Sequence, residues 1–458
     1  MVEVTVISSS TVRPKNINKS GQAKIHLTPH DLDLLYLVYP QRGLLFPKQD
    51  PNSHIFPRLK TALSTALEIY FSFAGRLVKE NNHEDNTVSF YIDCNGSGVK
   101  FVHAKADTVS VSDILQSRGS VPNFIGHFFP ANGVESHDAL ISEPLLALQV
   151  TEMKDGVFIS YGYNHMVADG SSFWSFFHSW SRICQTGLSS NFQPLVLKDW
   201  FLDKIDYPIH IPVSEMETPP NYCCSISMAI NHGTSGLNRE EMTQCKIAAD
   251  MRRRLDPPLK KECFGNVTGL AVATTNVGEL LDHGIGWTAL QISKTVRSQT
   301  NKSYKTFAEN WVTNVKIPKI GAGSRLAAHS LIVASSPWFE LYDHDFSWGK
   351  PIATSAGPVN GVGGLLVMFL GAEEGRIDVH ATLASSLWSD VCSSTIDGDA
   401  TISFSSVLLS LPIVSEEIVI EYVPEQLHFE DGVNDERKQI FEKINCGEHV
   451  ASKDDAES

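Results

Sequence analysis

The sequence has no apolar run near the ~18–20 residues that a membrane-spanning helix needs, so no span is expected. Met1 to Ser20 has no long apolar stretch, which argues against a secretory leader. Eight cysteines occur without a single Cys-x-x-Cys pair, which removes the usual zinc and thioredoxin-type spacings. Without a leader, free thiols in a reducing, cytoplasmic setting are expected. The sequons at Asn18, Asn95, Asn266 and Asn301 then read as chance. No G-x-S-x-G elbow is present, which disfavours an α/β-hydrolase serine. Gly357, Gly361, Gly363 and Gly364 match neither a phosphate loop nor a dinucleotide fingerprint and read as turns. Basic charge is scarce: 37 Lys+Arg stand against 52 Asp+Glu, a net charge of −15. A chain that neutralises nucleic-acid phosphates carries the reverse balance. The excess is local, because Leu411 to Ser458 holds 13 acidic and 4 basic residues.

What is present is core material. The 458 residues are 42% hydrophobic, with 23 Phe, 8 Trp and 11 Tyr, which excludes a disordered polymer. Val2, Val4 and Val6 alternate with polar residues as an opening strand. Leu27 to Asp31 looks like a helix or turn start. From Pro57 to Tyr70, Leu59, Leu63 and Leu67 share one helical face. Val88 to Asp93 reads as a strand. Leu145 to Thr151 and Val157 to Tyr163 alternate around Lys154-Asp155-Gly156, a hairpin signature. A helix follows Asp169, with Phe173, Phe176, Phe177 and Trp180 on its apolar side. Four prolines between Lys204 and Pro220 mark a linker. Strand candidates beyond it are Lys246–Ala249, Leu331–Ala334, Leu365–Leu370 and Ile377–Ala381. Strands mixed with amphipathic helices on both sides of a linker point to an α/β or α+β fold in two lobes.

Three segments carry chemistry-bearing side chains. Asn164-His165-Met166-Val167-Ala168-Asp169-Gly170 puts an imidazole at the end of an apolar strand, where scaffolds expose reactive groups. Asp169 can accept from the imidazole, or cap the next helix and pair with an arginine. The plain alternative is a buried turn histidine and a capping aspartate. A metal site is not expected, since no third ligand sits at a fixed spacing. Tyr342-Asp343-His344-Asp345-Phe346-Ser347-Trp348-Gly349-Lys350-Pro351 packs aromatics, charge and a Gly-Lys-Pro turn into a loop that must lie against something. Arg252-Arg253-Arg254 ahead of Pro257-Pro258 and Phe264-Gly265-Asn266 is either a solvated face, a counterion for carboxylates such as Asp169 or Asp345, or a phosphate contact.

In order along the chain, Thr28-Pro29, Ala74-Gly75-Arg76-Leu77, Glu143-Pro144-Leu145-Leu146, His165 to Gly170, Arg254 to Leu259, Phe264-Gly265-Asn266 and the Asp345–Pro351 segment together resemble the plant BAHD, or HxxxD-type, acyltransferases. The likeness is greatest to an uncharacterised acetyltransferase-like subgroup and runs to about residue 382. The resemblance implies two chloramphenicol-acetyltransferase-like lobes, joined by a crossover linker and separated by a solvent channel. The lobes would be residues 1–203 and 221–382, with the linker at 204–220 and a divergent acidic tail at 383–458. Acyl-CoA would be co-substrate without a metal, and a small-molecule hydroxyl or amine the acceptor, in a cytoplasmic monomer that binds neither nucleic acid nor membrane. His165 would be the general base that deprotonates the acceptor as the acceptor attacks the thioester, with no acyl-enzyme. Trp348 is a candidate for a structural or donor role, and Ser335 or Ser336 a lesser one. Asp169, Gly170, Arg252, Arg254, Asp345, Phe346 and Gly349 would be structural, with Asp345 pairing with Arg252 or Arg254. The competing readings are a lyase acting on an amino-acid conjugate and a catalytically impaired family member.

Three departures from the family pattern carry expectations of their own. Ser347 stands where the family has a glycine, which implies strain if the backbone there has positive φ. The stretch from Asn221 to Gln244 is short, which implies a second lobe lacking a strand and a helix. The final 77 residues, Thr382 to Ser458, do not resemble the family.

Overall fold

The computed structural model describes residues 3–16, 24–47, 55–115, 123–140, 142–187, 196–197, 204–216, 238–260, 263–318, 330–334, 339–357, 365–371 and 377–382. The expected tail at 383–458, the linker's end at 217–220, most of the short Asn221–Gln244 stretch, and Ser335 and Ser336 lie outside the described residues. No helix among the described residues is long and apolar enough to cross a membrane.

The first lobe is built on a six-stranded sheet. Its spatial order is Thr5–Val12, Val99–Ala106, Leu146–Met153, Gly156–Tyr163, Gln41–Pro47 and Ala353–Ala356. Leu146–Met153 and Gly156–Tyr163 form the expected hairpin, pairing Leu146 with Tyr163 and Glu152 with Val157. Both strands are central, which is why alternation gives way to near-complete burial along them. Helices Ile55–Ile69 and Gly170–Thr186 lie together against this sheet. Leu59, Leu63 and Leu67 are fully buried on one, and Phe173, Phe176, Phe177 and Trp180 on the other. Each such side chain contributes about 1.5–3 kcal/mol by leaving water. Trp180 also donates its indole N–H to the carbonyl of Leu59 at 3.0 Å, so the two helices are pinned as well as packed.

A smaller sheet joins Lys24–His26, Arg76–Asn82 and Thr87–Asp93, and the linker enters it. Ile211–Pro212 pairs with Thr87–Asp93, Ile211 opposite Val88, so this part of the linker is tied down.

The second lobe has a five-stranded sheet ordered Thr268–Asn276, Met242–Asp250, Ser330–Ala334, Leu365–Leu370 and Ile377–Thr382. Helix Val277–Arg297 packs on its first two strands and bends at Gly284, where φ is +71°. Helix Asn301–Thr313 starts at a Thr300–Ser303 capping box.

One placement departs from the expected boundaries. The expected second lobe, 221–382, includes Ala353–Ala356, yet this strand pairs with Gln41–Pro47 and completes the first lobe's sheet, Ala353 opposite Leu45 and Ala356 opposite Arg42. The reason is local: Gln41–Pro47 would otherwise present an unpaired edge next to a buried hairpin. The Asp345–Pro351 loop crosses with it.

Candidate active site

His165 follows the strand Gly156–Tyr163, and Asp169 is the N-cap of helix Gly170–Thr186. Asp169 accepts from the backbone N–H of Ser172 at 2.9 Å, which satisfies one orphan donor of the helix start. Its other oxygen accepts from the N–H of Val267 at 2.9 Å and from Arg252 Nη1 at 2.8 Å. Arg252 Nη2 reaches the first oxygen at 3.1 Å, so the pair is bidentate. The same guanidinium donates to Ser172 Oγ and to the carbonyls of Cys263 and Gly265. Burial would push the Asp169 carboxyl up, but the Arg252 guanidinium and the backbone donors outweigh it and hold it below the usual range. Asp169 therefore points away from the imidazole and fastens the histidine loop of one lobe to the arginine segment of the other. Gly170, the first residue of the helix, faces the Phe339 ring, which a Cβ would meet at 3.0 Å.

The imidazole itself is held by Asn266. His165 Nδ1 lies 3.1 Å from Asn266 Oδ1, and Asn266 Nδ2 donates to the His165 carbonyl at 2.6 Å and to Asp31 Oδ1 at 2.9 Å. With Nδ2 serving two acceptors, Oδ1 faces the ring, so His165 carries its hydrogen on Nδ1 and its lone pair on Nε2. Asp31 is fixed by its own capping box with Thr28, and Tyr304 donates to the Asn266 carbonyl at 3.2 Å. Burial lowers the His165 pKa from its ordinary value, so the ring is neutral at pH 7. This is the arrangement a general base requires: a neutral ring, one nitrogen anchored, the other carrying a lone pair. A small cavity of about 20 Å³, enough for one water, lies behind the loop beside Asp31, Ser72, Met166 and Gly265.

The other expected residues sit elsewhere. Asp345 meets neither Arg252 nor Arg254. Its Oδ1 accepts the backbone N–H groups of Ser347, Trp348 and Gly349 at 2.7, 3.0 and 3.1 Å, and so folds its own loop. Arg254 donates to the carbonyls of Val296 and Gln299 at the end of helix Val277–Arg297. Phe346 is fully buried against Trp180 and Phe46. The Trp348 ring stacks on Phe346 and lies under the Arg58 guanidinium. The Trp348 indole Nε1 is buried with no hydrogen-bond partner among the described residues. Ser347 has φ +77° and Gly349 φ +104°, which explains why glycine suits both positions. Asn266 stands in Phe264-Gly265-Asn266 and Asp31 ends the Leu27–Asp31 segment; only the fold brings them together.

Among the described residues, no group of three or more His, Cys, Asp or Glu converges as a metal site. His165 is thus braced between two lobes that share a sheet strand. A family model described as the transferase family matches residues 2–223 and 229–391. An uncharacterised acetyltransferase of Arabidopsis thaliana is 55% identical over 425 residues, covering 84% of this chain and 96% of the relative. Two solved structures share the fold. Vinorine synthase has a TM-score of 0.56 at 18% identity, over 80% of this chain and 91% of its own. TRI101 of F. sporotrichioides, complexed with coenzyme A and T-2, has a TM-score of 0.60 at 15% identity, over 82% and 98%. The chain belongs to the BAHD family and is an acyltransferase of that type. The 425 aligned positions exceed the 84% of 458 residues that take part, so the Arabidopsis relative carries residues opposite gaps in this chain. The family match itself breaks at 224–228, inside the stretch expected to be short.

Proposed function

We propose that this acyltransferase moves an acyl group from acyl-CoA to a hydroxyl or amine of a small-molecule acceptor, with His165 as general base. The acceptor's proton passes to Nε2 as its oxygen or nitrogen attacks the thioester carbonyl. The tetrahedral intermediate collapses by breaking the C–S bond, and the leaving sulfur takes the proton back from the imidazole. No acyl-enzyme forms and no metal takes part. Asp169 and Arg252 hold the loop in place and touch no reacting atom.

The observation that carries the reading is the Nδ1–Asn266 hydrogen bond, which leaves Nε2 as the basic nitrogen of a neutral ring. The test is release of free thiol from acetyl-CoA across a panel of alcohols and amines. His165→Ala is expected to lower turnover about 10²–10⁴-fold while the thermal shift given by CoA persists. Full turnover in that variant would remove His165 from the base role.

A further inference from the structure

Arg42 is a half-buried guanidinium at the junction of the two lobes. It lies on the strand Gln41–Pro47, opposite Tyr161 on one side and Ala356 on the other, where the exchanged strand joins the first lobe's sheet. Among the described residues, its Nη1 donates to the carbonyl of the preceding residue, Gln41, at 2.7 Å. From the second lobe, Phe369 brings its ring to 5.7 Å from the guanidinium carbon. Among the described residues, no carboxylate forms an ion pair with it; the groups acting on its charge are the phenols of Tyr161 and Tyr163. Arg252 shows the contrast, more deeply buried and gripping Asp169 with both terminal nitrogens. A guanidinium partly withdrawn from water with no anion beside it costs stability, and a bound carboxylate would offset that cost.

Its surroundings belong to the reaction. The Tyr163 ring, two residues along the strand from Tyr161, lies 5.7 Å from the His165 ring. On the other side, the Phe369 ring meets His380 at 5.2 Å. The backbone N–H of Ala356, Arg42's strand partner, donates to His380 Nδ1 at 3.3 Å. That bond puts the hydrogen of neutral His380 on Nε2 and adds a second donor to the neighbourhood. Burial pushes the His380 pKa down to about 4, and the Arg42 charge adds to this, as it does at His165. The guanidinium thus acts electrostatically on both imidazoles from the junction of the lobes.

We propose that Arg42 binds a carboxylate of the substrate, holding it beside His165 while the reaction proceeds. The inference rests on the acyltransferase reading above and adds the substrate class: a hydroxy acid or amino acid as acceptor, or a dicarboxylic acyl group on the donor. Both sources present the same planar anion, which matches a guanidinium bidentately.

The experiment separates the sources. With acetyl-CoA as donor, 4-hydroxybenzoate and 3-hydroxybutyrate are compared with their methyl esters. With the neutral methyl esters as acceptors, malonyl-CoA is compared with acetyl-CoA. A carboxylate preference of about tenfold or more in either arm is expected, lost in Arg42→Met and partly restored in Arg42→Lys. Equal use of acids and esters in one arm and of both donors in the other, or a preference that survives Arg42→Met, overturns the assignment. If no pair supports transfer, the anion site is still read by heat: 4-hydroxybenzoate at millimolar concentration should raise the Tm of the wild type and not of Arg42→Met. An equal rise in both proteins, or none in either, overturns it. Loss of transfer with this binding difference intact would sink the acyltransferase reading and leave the carboxylate site standing.

Discussion

Ser347→Gly should make the protein more stable, and the size can be worked from one torsion. Ser347 has φ +77°, in a region where an L-residue other than glycine loses about 1–2 kcal/mol to its own Cβ. The residue is exposed, so the change removes no packing. Its backbone N–H donates to Asp345 Oδ1 at 2.7 Å, a bond that glycine keeps. Against the relief stands the freer unfolded chain, which returns about 0.5–1 kcal/mol. The net expectation is a gain of about 0.5–1 kcal/mol, read as a higher urea midpoint with an unchanged m-value. Ser347→Ala keeps the Cβ and should change little. Turnover should stay the same in both, because the loop touches Phe46, Trp180 and Arg58 rather than His165. A Gly variant no more stable than the Ala variant would show that the Cβ is not what strains this turn. A Gly variant that altered turnover would tie the loop to the chemistry.

Arg252→Met should cost about 3–5 kcal/mol by leaving Asp169 charged and unpaired in the core, more than Asp169→Asn, which keeps hydrogen-bonding capacity. Because the Asp169 pKa is depressed in the folded state, its stabilising contribution is full above the unfolded value of about 3.9 and disappears as the pH falls through the lower folded value. A wild-type acid transition unchanged in Asp169→Asn would contradict this. The acid limb of kcat/KM should lie below the ordinary histidine value of about 6.5, with rate rising through the His165 pKa and flat above it, since the neutral ring is the base. Asn266→Ala should lower kcat about tenfold or more by releasing Nδ1, with KM for acyl-CoA little changed. It should also move that limb to still lower pH, because the Asn266 bond favours the charged ring. A limb fixed in place would mean that Asn266 does not govern the imidazole.

Much of the first lobe was legible because its signals are local. Leu59, Leu63 and Leu67 share a face at helical spacing, and the alternation around Lys154-Asp155-Gly156 allows little but a hairpin. Asp169 as a helix cap follows from its place ahead of an apolar 3.6-residue period. The partners of each charge were less legible. Three adjacent arginines offer no local reason for Arg252 to turn inward to Asp169 while Arg254 caps a helix end, because the choice is made by packing between lobes. Asp345 looked like half of an ion pair, yet three backbone donors within four residues satisfy it first. Asn266 was visible only as part of Phe264-Gly265-Asn266, and Asp31 only as a turn residue; their meeting joins positions 235 residues apart. Arg42 left a faint mark, a lone cation opening the apolar run Gly43-Leu44-Leu45-Phe46. The exchange of Ala353–Ala356 left none, because four small residues pair wherever an edge is open.

That borrowed strand has a consequence for biosynthesis. The chain emerges from the ribosome amino end first, and Gln41–Pro47 can pair with Gly156–Tyr163 long before Ala353 is made. Until then the growing protein displays a bare ribbon of backbone donors and acceptors, open to pairing with another nascent copy. The last piece of the first lobe arrives only after most of the second has been translated, so neither half is finished without the other.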